Sequence, residues 1–417
     1  MNTMCWWENS FLKAKKGRLY IDGKEAIQIA EHYGTPLYVY STKQLLSNYR
    51  SLRESFAEHT SLETRICYAM KANAHPGLLV ALKNEGAWID AVSPGEVQAA
   101  LDVGFPEERI LYTGTSVGSQ DLMQVFKRTG VVVTIDAYEQ LELMKEIRDL
   151  YGSSMKSHVA VRWNPGLGIG FHPKVITAGM RSTDGTPIKF GVEDERVIST
   201  FTRAVAYGFK PLGLHQHLGS GWIKQDFQGV MCAVDKMIAK ASELQKAGFS
   251  LEFLDFGGGF GPRYSEEQQV FPVLEYVKSV CQKIAQSDLD IRAVAIEPGK
   301  YLVGDAGVLL LKVEYLKESY GNLFACVNAG TFNTVPRPAI YNQAQHHIIN
   351  CSNVPAEDEE KITVAGNLCE TGDVFGRDVR MSLPRRGDVL ALLCAGAYCR
   401  SMASHFNLRE IPEEVLF

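Results

Sequence analysis

Between residues 44 and 300, short runs rich in aliphatic, aromatic and β-branched residues alternate with longer stretches whose apolar positions recur three and four apart. The short runs predict strands at 66–70 (ICYAM), 88–92 (WIDAV), 109–112 (RILY), 131–135 (VVVTI), 158–163 (HVAVRW), 212–216 (LGLHQ), 251–256 (LEFLDF) and 292–296 (RAVAI). The stretches between them, such as HPGLLVALKNEG and DFQGVMCAVDKMIAKASELQKAGF, have the helical period and close near glycine. Eight strand–helix units in about 250 residues predict an α/β chain folded as a closed (β/α)8, TIM-like barrel rather than an open doubly wound sheet. After residue 305 the pattern changes to strand-like runs separated by turn residues: GVLLLKVEYLKES, LFACVNAG, EKITVAGNL and RRGDVLALLC. These predict a mostly β second domain, joined by the N-terminal runs RLYIDG and PLYVYS. The expected division is an N-terminal segment (1–43) contributing to the β domain, a barrel (44–304) and a C-terminal β domain (305–417). The segment TAGMRSTDGTPIKFG, 177–191, is expected to be a loop over one end of the barrel.

Composition narrows the partners. With 46% hydrophobic residues in 417, the chain can bury more core than one compact domain normally holds. Its net charge of -5 offers no basic field for nucleic acid or an anionic membrane. A small-molecule partner is expected. No apolar run reaches the ~18 residues that could span a bilayer, and the N-terminus lacks a signal-peptide core, so the expected location is cytoplasmic. Nine scattered cysteines form neither a CxxC pair nor a Cys/His cluster at zinc spacing, so neither a disulfide framework nor a metal is expected. The adjacent pair His346 and His347 does not change this, because neighbouring side chains diverge in helix and strand alike.

Four clusters fall at the C-terminal ends of predicted strands, which share one rim in a parallel barrel. They are Lys71 after ICYAM, HQHLGSG (215–221), GGGFG (257–261) and EPGK (297–300). Each has a plain alternative: a surface lysine, satisfied core histidines, a tight turn and a solvated carboxylate. His215 and His217, two apart on one predicted strand, are expected to point to the same side. Three consecutive glycines leave backbone N–H groups to wrap a phosphate. Together the clusters suit pyridoxal 5'-phosphate, which needs a lysine for a Schiff base, a phosphate cradle, an imidazole face and a carboxylate opposite its pyridine nitrogen. Such a carboxylate makes the ring a strong electron sink, favouring decarboxylation over racemisation. Small Ala72 and Ala74 beyond Lys71 are expected to leave room for the cofactor.

The motifs YAMKAN, IDAVSPGE, HQHLGSG, GGGFG, EPGKYLVGDAG, RPAIY, CETGDVF and GAYCRSMASHFNLR followed by PEEVLF occur in order along the chain. From about residue 26 to the end the sequence resembles the barrel-type, fold-type III pyridoxal-phosphate-dependent amino acid decarboxylases, which share their architecture with alanine racemase and ornithine decarboxylase. The resemblance implies that Lys71 carries the cofactor and His217 stacks on its ring. It also implies that Ser220, Gly257, Gly258, Gly259, the backbone of Gly299 and Lys300, and Tyr398 hold the phosphate, and that Glu297 meets the pyridine nitrogen. Arg337, Tyr341, Lys300 and Tyr398 would bind the substrate's carboxylate end, and Glu370 its distal ammonium. Cys369 would be a proton donor arriving from the partner subunit of a homodimer with shared sites. The implied reaction is decarboxylation of meso-2,6-diaminopimelate to L-lysine and CO2, a step of lysine biosynthesis.

The match has departures. Lys300 stands where arginine is usual, losing the bidentate fork; Phe406 stands where a tyrosine is frequent; and the 177–191 loop is long. These changes leave open a sibling decarboxylase acting on another basic or D-amino acid or on a siderophore or antibiotic intermediate. Glu297 and Cys369 speak against a racemase, and the complete set of site residues against a non-catalytic regulatory relative.

Overall fold

A computed structural model describes residues 5–151, 158–354 and 358–417. The chain divides into two compact units, one of Tyr49–Gly261 with Gln269–Gly299, the other of Met1–Asn48, Pro262–Gln268 and Lys300–Phe417.

The first unit is a closed barrel of eight strands: β1 Glu63–Ala69, β2 Trp88–Ala91, β3 Ile110–Tyr112, β4 Val132–Ile135, β5 His158–Arg162, β6 Lys210–His215, β7 Phe253–Asp255 and β8 Ala293–Ile296. All eight neighbouring pairs are parallel, β8 closing on β1 with Ile296 opposite Ile66. The eight predicted strands are these eight. Their near-continuous apolar runs follow from burial on both faces, inside against the barrel filling and outside against helices. Cys67, Leu111, Val132, Ala160, Leu212, Phe253, Ala293 and Ala295 pack together as one buried cluster. Near the strands' N-terminal ends the buried Arg65 guanidinium lies 4.5 Å from the Trp88 ring centroid and 5.0 Å from that of Phe253. It is paired with Glu63 and, at 2.7 Å, with Glu252.

Local sequence explains where the helices start. After β1, a 3-10 turn Met70–Ala72 leads to helix α1 (Pro76–Asn84), whose proline needs no N–H at that position and whose cap His75 accepts the Gly77 N–H at 3.1 Å. Helix α2 (Pro94–Asp102) opens on the N-cap Ser93, whose Oγ accepts the Glu96 N–H, while Glu96 Oε2 reaches back to accept the Val92 N–H at 2.7 Å. These devices end the strands abruptly, so the residues at the strand tips face the barrel mouth rather than continuing a ladder.

The second unit is mostly sheet. Its strands run in the order Ile348–Asn350, Val389–Leu392, Gly307–Ser319, Asn322–Val327, Glu360–Ala365 and Val374–Met381, with Leu37–Tyr40 pairing Gly307–Ser319 and the C-terminal Glu413–Leu416. A small sheet of Leu12–Lys15, Arg18–Ile21 and Lys24–Glu25 packs its Leu12, Leu19 and Ile21 with Leu37, Val308, Leu310 and Ala391 in one core. Val374–Met381 escapes the sequence reading because Gly376 and the charged Arg377, Asp378 and Arg380 break its alternation.

Candidate active site

Every strand of the barrel delivers a polar side chain at or just beyond its C-terminal end: Lys71, Asp90, Thr113, Asp136, Arg162, His215, Asp255 and Glu297, in strand order. Lys71 Nζ lies 2.5 Å from Asp90 Oδ2, and the Asp90 carboxylate also accepts a bond from Thr113. Asp90 is fully buried, while the Lys71 side chain retains 33% exposure, so the lysine is anchored on a buried carboxylate at the barrel mouth. Burial, then the charge of Glu297, push the Asp90 carboxyl up, and Lys71 opposes them. Arg162 is 3.7 Å from Asp136 and stacks 4.5 Å from the Phe190 ring centroid.

Glu297 is the centre of this electrostatics. Its Oε2 meets His215 Nε2 at 3.1 Å, and its Oε1 is buried without a partner among the described residues. Burial alone would raise the Glu297 carboxyl, but the charge and bond of His215, then Lys71 and His217, outweigh it and hold it down at about 2. Burial opposes charge on His215 too, and Glu297 overcomes it, raising the imidazole above its usual value. A ligating atom of each of His215, Asp255 and Glu297 lies within 4.8 Å of the other two. Asp255, squeezed by burial and then by Glu297, is pushed up to about 8.

His217 differs from expectation. Strand β6 ends at His215, so the two histidines do not share one strand face. His217 lies beyond it, its Nδ1 2.8 Å from Thr177 Oγ1 of the 177–191 loop, and the Gly179 carbonyl of the same loop accepts from Asn164 Nδ2 at 3.0 Å. Burial holds its imidazole at about 3, a neutral ring at working pH.

The glycines also divide. The Gly257 N–H donates to Asp255 Oδ1 at 2.9 Å. Among the described residues the N–H groups of Gly258 and Gly259 have no acceptor. A Cβ on Gly258 would sit 2.3 Å from the Glu297 carbonyl oxygen, and one on Gly259 2.3 Å from the Trp222 ring. Only glycine allows the tips of β7 and β8 to approach so closely. Ser220 adjoins this turn, its carbonyl accepting from the Phe171 N–H. Beyond Lys71, the space beside Ala72 is taken by Gly299, where a Cβ would stand 3.1 Å from the Cβ atoms of both Ala69 and Ala72. The small Ala72 therefore admits a neighbouring backbone.

The remaining candidates belong to the second unit. Lys300 and Arg337 are both buried, at the starts of short helices Lys300–Val303 and Arg337–Ile340. Lys300 Nζ lies 5.7 Å from the Tyr398 ring centroid; burial, then Arg337, hold its ammonium well below the usual lysine range. Tyr398 has a left-handed backbone, φ 57°. Tyr341 caps the helix that Arg337 begins, its N–H bonded to the Arg337 carbonyl at 2.8 Å. Cys369 and Glu370 are exposed, and the Asn407 side chain lies against Cys369 Sγ at 3.2 and 3.4 Å. Phe406 packs edge-on against Phe332 at 5.7 Å, an apolar contact that uses no hydroxyl.

Asp90, Thr113, Asp136, Arg162, Thr177 and Asp255 were not singled out from sequence. For Asp90, Asp136, Arg162 and Asp255 the signal is a charged residue at or near the end of an otherwise apolar run, as in WIDAV, HVAVRW and LEFLDF, which in a barrel aims it at the rim; the two threonines carry no such mark.

A lysine held at the mouth, a neutral imidazole face, a turn with two N–H groups lacking acceptors and an ionised carboxylate with one unpartnered oxygen fit pyridoxal phosphate. The pyridoxal binding domain of the pyridoxal-dependent decarboxylases matches residues 42–304. The chain belongs to the pyridoxal-dependent decarboxylase family, and its cofactor is pyridoxal 5'-phosphate. Within that family it is 40% identical to the diaminopimelate decarboxylase of Methanothermobacter thermautotrophicus over 96% of this chain and 91% of the relative. The crystal structure of the Methanocaldococcus jannaschii diaminopimelate decarboxylase with L-lysine superposes with a TM-score of 0.88 at 32% identity, covering 98% of this chain and 93% of that one. The Helicobacter pylori enzyme, also with L-lysine, gives 0.84 at 28% identity, covering 94% and 93%.

Proposed function

We propose that the protein decarboxylates meso-2,6-diaminopimelate to L-lysine and CO2. The observation that carries the chemistry is the buried Glu297, ionised against His215 on one oxygen and unpartnered on the other. A fixed negative charge aimed at the cofactor's ring nitrogen favours electron withdrawal over the milder chemistry of a racemase. The substrate assignment is supported by the full-length likeness to diaminopimelate decarboxylases.

When bound, pyridoxal phosphate supplies the electron sink for the pair released as the carboxylate leaves Cα. Lys71, anchored by Asp90, is the amine that holds the cofactor. His217, a neutral ring, would cover the cofactor without adding charge, and the ionised Glu297 would supply the charge at its ring nitrogen. Gly257, Gly258, Gly259, Ser220, the backbone of Gly299 and Lys300, and Tyr398 are the proposed phosphate contacts. Arg337 and Tyr341, with Lys300 and Tyr398, receive the substrate carboxylate, the guanidinium fork of Arg337 matching that planar anion. Glu370 meets the distal ammonium, and Cys369 delivers a proton to Cα from the partner subunit of a homodimer.

The test is CO2 release from meso-diaminopimelate compared with D- and L-lysine and D- and L-ornithine, with chromatography of the products. L-lysine from meso-diaminopimelate is the expected result. Faster release from another substrate overturns the assignment and makes Lys300 and Phe406 changes of specificity.

A further inference from the structure

The adjacent histidines 346 and 347 meet different surroundings. His347 packs its ring edge-on to Trp6 at 5.1 Å, whereas His346 is 6% exposed and makes two hydrogen bonds. Its Nδ1 is 2.9 Å from the Leu393 carbonyl oxygen, and its Nε2 is 3.2 Å from Arg337 Nη1. A carbonyl only accepts and a guanidinium only donates. Both contacts are therefore hydrogen bonds in one protonation state alone: neutral imidazole with its proton on Nδ1 and its Nε2 lone pair towards Arg337. The other tautomer, or the cation, would set N–H against N–H. Tyr264 completes the support, with its ring centroid 4.9 Å from the guanidinium carbon and the ring edge-on to His346 at 5.4 Å.

We propose that His346 is a positioning residue, which fixes the plane of the Arg337 guanidinium for a substrate carboxylate through a neutral acceptor that leaves the guanidinium's charge to the substrate. This rests on the reading of Arg337 given above. A carboxylate in the same place would hold Arg337 as well but would already have neutralised it, and a substrate carboxylate would then gain less. Burial, then the neighbouring charge of Arg337, hold His346 at about 3, so it stays neutral at any pH where the enzyme works.

Steady-state kinetics of the holoenzyme on meso-diaminopimelate test this, with bound-cofactor absorbance and melting temperature checking each variant's fold. His346→Leu removes the acceptor and is expected to raise KM about tenfold with a much smaller change in kcat, the size of one hydrogen bond to a charged group. His346→Gln, whose amide can donate to Leu393 and accept from Arg337, is expected to recover most of that loss. His346→Glu keeps an acceptor but adds a charge, and is expected to bind as poorly as the leucine variant. Should the leucine variant not fold, the glutamine and glutamate variants decide. A glutamate variant with wild-type KM, or a glutamine variant no better than the glutamate one, overturns the proposal. Arg337→Lys separates the two layers. If it leaves KM unchanged, or if the wild type does not turn over meso-diaminopimelate, the reading of Arg337 falls and the proposal with it. If it raises KM while the leucine and glutamate variants do not, only the role of His346 falls.

Discussion

At the scale of single residues, the barrel mouth is a set of buried charges that restrain one another. Glu297 stays ionised because His215 and Lys71 repay the loss of water, whereas Asp255, buried beside that negative charge, cannot ionise as readily. The sign for Asp255 follows from linkage. Its folded value of about 8 lies above the ordinary 3.8, so its stabilising proton is fully present below that ordinary value and is lost as pH rises through about 8. Asp255→Asn keeps an oxygen for the Gly257 N–H and has no proton to lose. Calorimetry of the cofactor-free protein is expected to show the variant's melting temperature gaining on the wild type as pH rises towards 8, by about 3 °C or more. A constant difference across that range would mean Asp255 does not titrate there.

At the scale of elements, the cradle depends on how closely strand ends approach. The Gly258 position has its nearest foreign atom, the Glu297 carbonyl oxygen, 2.3 Å from where a Cβ would stand. Gly258→Ala must therefore part the tips of β7 and β8, an overpacking that costs about 1–3 kcal/mol. A melting temperature lower by about 5 °C, with faster loss of cofactor on dialysis, is the expected outcome, since the same shift moves Glu297. Unchanged cofactor retention would remove this turn from the binding site. The elements themselves were legible: apolar strand runs, and between them stretches of helical period closing near glycine, marked the eight β/α units. The extent of individual strands was less so, because a cap or a 3-10 turn, as at Met70, ends a ladder while the apolar run continues.

At the scale of the whole molecule, the proposed homodimer has a consequence that a self-sufficient chain would lack. Lys71→Ala and Cys369→Ala are each expected to abolish nearly all activity on meso-diaminopimelate. If Cys369 serves the partner's site, mixing the two variants under subunit exchange restores one intact site in each mixed dimer, about a quarter of wild-type activity. If both residues serve their own chain's site, no mixture contains an intact site and activity stays lost. Assay of the mixture against each variant alone distinguishes these arrangements.

Sequence alone determined the repeat, the barrel class and the residues whose type is unusual for their place: a lysine, a glycine triplet and a glutamate before proline at strand ends. Periodicity shows which way a side chain faces, and local motifs show where an element stops, because both are set by residues a few positions apart. What faces that side chain is decided by closure of the chain. Asp90 under Lys71, His215 on Glu297 and His346 on Arg337 pair residues whose own sequence surroundings carry no mark of the partner. Whether a buried carboxylate is a held charge or a held proton depends on those partners, since in a low-dielectric interior the nearest opposite charge outweighs the residue's own chemistry.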